Sequence, residues 1–74
     1  MISRRIIFDG DRVACQQVLG RANSLLNLLQ TRMMNGSLDQ GWSRHILPSG
    51  EVIKCSIQFG VPQFIISPLG RTVS

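Results

Sequence analysis

Ser43-Arg44-His45-Ile46-Leu47-Pro48-Ser49-Gly50-Glu51-Val52-Ile53-Lys54-Cys55 is the stretch on which the fold turns. Within it, Leu47-Pro48-Ser49-Gly50-Glu51 places proline at the second position of a type I turn. Gly50 falls where a left-handed residue closes a G1 bulge. That chemistry predicts a hairpin between strands at 41–47 and 51–59, and it fixes a register. Leu47 opposes Glu51, Ile46 opposes Val52, His45 opposes Ile53 and Arg44 opposes Lys54. Alternation then puts Glu51, Ile53, Cys55, Ile57 and Phe59 on one face, and its four apolar members suit a core. Trp42, Arg44, Ile46, Val52, Lys54, Ser56 and Gln58 share the other.

Downstream, Gly60-Val61-Pro62 reads as a turn and 63–67 as a third strand, ended by Pro68. Pairing Phe59 with Gln63 adds Phe64 and Ile66 to the face of Trp42, Ile46 and Val52. Upstream lies the strongest periodic signal in the chain. Cys15, Val18, Leu19, Ala22, Leu25, Leu26, Leu29 and Met33 fall on one side of a helix running from residue 10 or 11 to residue 34 or 35. Asp9 is the expected N-cap, with Phe8 and Val13 at the staple positions. Asn35-Gly36 stops the helix. Gly20 costs about 1 kcal/mol relative to alanine and is the point at which the helix would break in two. Residues 3–8 read as a short strand, with Ile6 and Phe8 on one face and Arg5 and Ile7 on the other. The expectation is a single α+β domain in the order β-α-β-β-β, one long amphipathic helix packed on an antiparallel sheet of three to four strands.

Composition narrows the function classes. The 74 residues carry eight bases, seven of them arginine, against four acids, for a net charge of +4. The apolar share of 43% is too high for a disordered chain, and two cysteines are too few for a disulfide scaffold. No apolar run reaches membrane-spanning length. Neither a targeting nor a lipidation pattern is read, so the expected compartment is the cytoplasm, with Cys15 and Cys55 as reduced core thiols. The expectation is no metal and no cofactor. His45 is the only histidine, no CxxC occurs, and neither GxGxxG nor a P-loop is present. Asp9 and Asp11 serve as caps, Asp39 falls in a loop and Glu51 at a turn, so no carboxylate pair forms. A neutral, hydrogen-bonded histidine at the sheet edge is the reading of His45.

Two surfaces look unfinished. The helix rear, with Gln16, Gln17, Gly20, Ser24, Asn27 and Thr31, carries no charge, and its small residues would let another helix approach. The outer sheet face groups Trp42, Ile46, Val52, Phe64 and Ile66 in an apolar patch of the kind that marks an interface. A chain this short is expected to complete its core with something outside itself. The leading expectation is therefore a non-enzymatic protein–protein interaction module, a homo-oligomer or a small adaptor or inhibitor of a larger protein. Its contacts would be Trp42, Ile46, Val52, Phe64 and Ile66, with Gly20, Ser24 and Thr31 on the helix. The alternative is a nucleic-acid binder. Arg4, Arg5, Arg44 and Lys54 would contact phosphate, and Trp42 and Phe64 would stack on bases. A small ribonuclease-like toxin using His45 comes third. No membrane partner and no small-molecule substrate is expected.

Overall fold

A computed structural model describes residues 4–36 and 41–68. The elements run β1 (Arg5–Phe8), α1 (Arg12–Arg21), α2 (Asn23–Met34), β2 (Ser43–Ile46), β3 (Val52–Gln58) and β4 (Val61–Ser67). The four strands form one mixed sheet in the order β1-β4-β3-β2. β2, β3 and β4 make an antiparallel meander, and β1 joins its far edge parallel to β4, with Arg5 beside Gln63 and Ile7 beside Ile65. The sheet is thus four-stranded and not wholly antiparallel. Two parallel neighbours need a crossover connection, and here it runs from β1 through α1, α2, β2 and β3 to β4.

The hairpin has the expected register, Arg44 opposite Lys54 and Ile46 opposite Val52. Its turn is closed by the Leu47 N–H to the Glu51 carbonyl at 2.8 Å and the Gly50 N–H to the Leu47 carbonyl at 2.9 Å. Gly50 sits at φ 103°, as a G1 bulge requires.

The helical segment departs from expectation at both ends of α1. Asp11 is the cap, accepting from the Val13 N–H at 3.0 Å. Asp9 instead accepts from the Ser67 hydroxyl at 3.1 Å, and Val13 lies exposed, so no staple to Phe8 forms. The interruption falls at Ala22 (φ −101°, ψ 11°), while Gly20 stays within α1. The ladder continues through it, from the Ala22 N–H to the Val18 carbonyl and from the Leu26 N–H to the Ala22 carbonyl. The two helices therefore act as one bent rod whose halves serve different parts of the sheet. Cys15 and Val18 of α1 pack on Ile66. Ala22, Leu26, Leu29 and Met33 pack on Ile53, Cys55 and Phe64. A sheet that twists offers no straight groove, so a bend at a small buried residue lets both halves follow it. Cys15 and Cys55 form no disulfide, are buried and belong to separate clusters, and the Cys15 thiol donates to the Ile66 carbonyl at 3.4 Å.

The β3–β4 turn overturns one expected pairing. Gln58 opposes Val61, Ile57 opposes Pro62 and Cys55 opposes Phe64. Phe59 (φ 53°) and Gly60 (φ 77°) alone make the turn, both left-handed as in type I′. Relative to a Phe59–Gln63 pair the register shifts by three residues. An odd shift exchanges the faces of β4. Phe64 and Ile66, expected on the outer patch, are completely buried beneath the helices. Ile65, Gln63, Val61 and Ser67 take the outer face. Ile57 and Phe59, expected in the core, run past the helix cover and are exposed, Phe59 completely at 102%.

Two polar clamps tie the layers together. The Arg4 guanidinium donates to Asn27 Oδ1 at 2.9 Å, Asn23 Oδ1 at 3.1 Å and Gln30 Oε1 at 3.5 Å, and lies 5.9 Å from the centre of the Phe64 ring. Asn23, Asn27 and Gln30 follow i, i+4, i+7 spacing, so one ridge of α2 presents three amide oxygens to one cation. On α1, Arg21 donates to Glu51 Oε2 at 2.6 Å, and the Ser49 hydroxyl donates to the other carboxylate oxygen. The Ser49 hydroxyl first, and then the Arg21 guanidinium, hold the Glu51 carboxyl below the usual carboxylate range against the opposing pull of burial.

Candidate functional site

The helices cover one face of the sheet, and no described element covers the other. Each strand presents to this open face an aliphatic residue and, two positions away, a polar one. These are Ile7 and Arg5 on β1, Ile65 and Gln63 on β4, Val52 and Lys54 on β3, and Ile46 and Arg44 on β2. The registers set Ile7, Ile65, Lys54 and Arg44 side by side in one row across all four strands, with Arg5, Gln63 and Ser56 in the row on one side of it and Ser67, Val52 and Ile46 in the row on the other. Trp42 precedes β2 on the same side, beyond Arg44. Strand separation is about 4.8 Å, so the four-strand row spans roughly 14 Å, and neighbouring rows lie roughly 7 Å apart.

Exposure grades across the face. Ile46 is 62% and Trp42 45% exposed, while Ile7, Ile65 and Val52 are half-buried. Ser56 and Gln63 are buried between their neighbours, whereas Arg5, Arg44 and Lys54 reach solvent. None of the face's ladder positions is acidic. Of the described acids, Asp11 caps α1 and Glu51 is held by Arg21 and Ser49. Asp9 stands past the end of β1, at the corner farthest from Arg44, bonded to Ser67. Arg44 and Lys54 are direct cross-strand partners, and like charges in that position repel.

Other expected site residues fall elsewhere. Phe64 and Ile66 belong to the core because the short turn sets β4 to the opposite parity. Arg4 is not a free phosphate contact, since its guanidinium is occupied by α2. Gly20, Ser24 and Thr31 are exposed on the helices. Thr31 Oγ1 donates to the Asn27 carbonyl at 3.0 Å, and a methyl group built on Gly20 would meet nothing within 4 Å. His45 points to the helix side opposite Ile53, away from Arg44 and Lys54. Its Nε2 is buried without a hydrogen-bond partner, which corrects the expectation of a fully bonded ring. Burial raises the pKa of the Cys55 thiol, as for an inert core cysteine. Among the described residues no group of three metal-ligating side chains occurs, and no helix is long and apolar enough to cross a membrane.

The residues missed in the outer rows, Ile7, Ile65 and Gln63, had a legible signal. Arg5-Ile6-Ile7 and Gln63-Phe64-Ile65 share the polar-x-aliphatic spacing of Arg44-His45-Ile46. Comparison with known protein families, curated proteins and solved structures finds no match.

Proposed function

We propose that this protein is a non-enzymatic interaction module that holds a larger, anionic protein partner on the open face of its sheet. One observation carries the reading. The uncovered face sets the aliphatic pair Ile7 and Ile65 in line with the cationic pair Lys54 and Arg44, with Val52 and Ile46 two residues along the same strands as those cations, and the described acids are engaged outside its ladder positions. Aliphatic side chains left uncovered on that face gain by being covered. Arg44 opposite Lys54 costs stability in the free protein and is relieved when an anion arrives, a pattern expected of a site kept for binding. A second copy stacked on the same face would set cations against cations, so charge favours a different partner over face-to-face self-association.

Nucleic acid is the second reading, favoured by Trp42 standing half-exposed next to Arg44. The loss of Phe64 and Arg4 from that surface weakens it.

Photocrosslinking in the native cells tests the proposal. A benzophenone side chain at Ile65 should give adducts that protease removes and nuclease does not, and Arg44→Glu with Lys54→Glu should abolish them. The same label at Gln17 on the helix rear should give none. Adducts at Gln17 alone, adducts removed by nuclease, or no adduct at Ile65 would overturn the reading.

A further inference from the structure

We propose that the partner binds by strand addition: an extended acidic segment pairs with the free edge of β2 and becomes a fifth strand of the sheet. This inference rests on the interaction reading above and names its binding mode. β2 ends the sheet order and, among the described residues, pairs with β3 alone. The Leu47 N–H donates to the Glu51 carbonyl at 2.8 Å, so Leu47 and Glu51 are a hydrogen-bonded pair. Such pairs alternate along an antiparallel ladder. His45–Ile53 and Ser43–Cys55 are therefore hydrogen-bonded, and Arg44–Lys54 and Ile46–Val52 are not. The N–H and C=O groups of Arg44 and Ile46 point away from β3, toward an edge open to another strand.

Side chains favour this edge over β1, the other one. Ile46 is 62% and Trp42 45% exposed, while Ile7 on β1 is half-buried. The open-face residues at the β2 edge alternate as Trp42, Arg44, Ile46, a cation between two apolar groups. A strand laid beside β2 continues the rows of the sheet. The residue opposite Arg44 prolongs the row Ile7, Ile65, Lys54, Arg44, and a carboxylate there offsets the repulsion between the two cations. The residue opposite Ile46 prolongs the row Ser67, Val52, Ile46, where an apolar group covers exposed surface. The complementary pattern is apolar-x-acid-x-apolar, which reads the same in either strand direction. None of the chain's four acids has an apolar residue two positions away on both sides. Asp9 and Asp11 stand two from each other, Asp39 lies between Ser37 and Gly41, and Glu51 follows Ser49. A second copy therefore lacks the matching strand, and the occupant is a different chain. A nucleic acid has no peptide groups with which to extend a β-ladder.

Trp42 is the protein's sole tryptophan and borders this edge, so its fluorescence reports occupancy. The probe is a short peptide, blocked at both ends, with valine-threonine-glutamate-threonine-valine at its centre and serines around it. Comparators carry glutamine or lysine in place of the glutamate. Two more carry a single backbone N-methyl group, at the glutamate or at the threonine after it. A further arm is a short oligothymidylate. The glutamate peptide should change Trp42 emission saturably, bind about fivefold more tightly than the glutamine peptide at low salt, and lose that margin in high salt. The lysine peptide should not bind. Near saturation, amide hydrogen exchange at Arg44 and Ile46 should slow about fivefold, which contact through side chains alone does not produce. Neighbouring amides of a strand face opposite edges, so one N-methyl peptide should lose binding and the other keep it. Arg44→Gln with Lys54→Gln should remove the glutamate margin while circular dichroism shows the fold retained. Unchanged exchange at Arg44 and Ile46, or equal effects of the two N-methyl groups, would overturn the inference. So would equal affinity of the glutamate and glutamine peptides, no saturable response to either, or tighter binding of the oligonucleotide. Protein adducts at Ile65 in cells, with no response to the acidic peptide, would sink strand addition and leave the interaction reading standing. Absence of both would sink the two together.

Discussion

Arg44 and Lys54 stand directly opposite each other across the β2–β3 ladder, two solvent-reaching cations on a face whose ladder positions hold no acid. The chain could have relieved this pair with one glutamate. That it does not fits the binding role proposed for this face.

Lys54→Glu should therefore stabilise the isolated protein. It replaces a repulsive cross-strand pair by an attractive one, a change of about 0.2–1 kcal/mol. Urea unfolding should show a higher midpoint, with the gain shrinking as salt rises. The same substitution should weaken partner binding, so stability and binding move in opposite directions.

The β4 register makes a sharp contrast between neighbours. Ile66 is completely buried against Cys15 and Val18, while Ile65 is half-buried on the open face. Ile66→Ala should cost about 2–5 kcal/mol and Ile65→Ala clearly less. Similar costs at the two positions would contradict the two-residue turn.

That turn was the hardest part of the fold to read from the sequence. Pro48 and Gly50 announce the first hairpin because each supplies the backbone its position demands. Phe59-Gly60 announces nothing, since a type I′ turn favours asparagine or glycine where Phe59 stands at φ 53°. Pro62 also reads as a breaker, although it forms part of β4. With the turn misplaced, Phe64 and Ile66 change sides, whereas Trp42, Ile46 and Val52 keep theirs because their hairpin was legible. The Arg4 clamp was illegible for another reason. It joins residues 19 to 26 positions apart, and only the packed layers bring β1 to the ridge of α2. In the sequence that ridge reads as a neutral polar surface.

Phe59→Asn should stabilise the protein by roughly 0.5–1 kcal/mol, since asparagine tolerates the left-handed region and Phe59 packs against nothing at 102% exposure. Thermal unfolding of the two proteins is the measurement, and a loss of stability would contradict the turn assignment.

Gly20→Ala should add about 1 kcal/mol, because Gly20 is helical and a methyl group there meets nothing. The same variant separates the helix rear from the sheet face. It should leave binding unchanged, and a loss of binding would move the contact to the small-residue side of α1.

Glu51 sets a pH dependence. Its folded pKa is lowered, so the carboxylate contributes stability above its unfolded value near 4.5, and that contribution is lost as pH falls through the lower folded value. Glu51→Gln should be less stable than the parent at pH 7. The gap should narrow below pH 4.5 as the parent's carboxylate protonates and its hold on Arg21 and Ser49 is lost. Urea midpoints at several pH values between 7 and 3 read the gap directly.

The central claim is that binding is carried by the open face of the sheet. The most direct measurement is amide NMR of the labelled protein titrated with the partner recovered through the Ile65 crosslink. Shifts should concentrate at Arg5–Ile7, Arg44–Ile46, Val52–Lys54 and Gln63–Ile65, with Gly20, Ser24, Thr31 and Phe59 unmoved. Shifts centred on the helix rear or on the Phe59 turn, with the four strands silent, would contradict it.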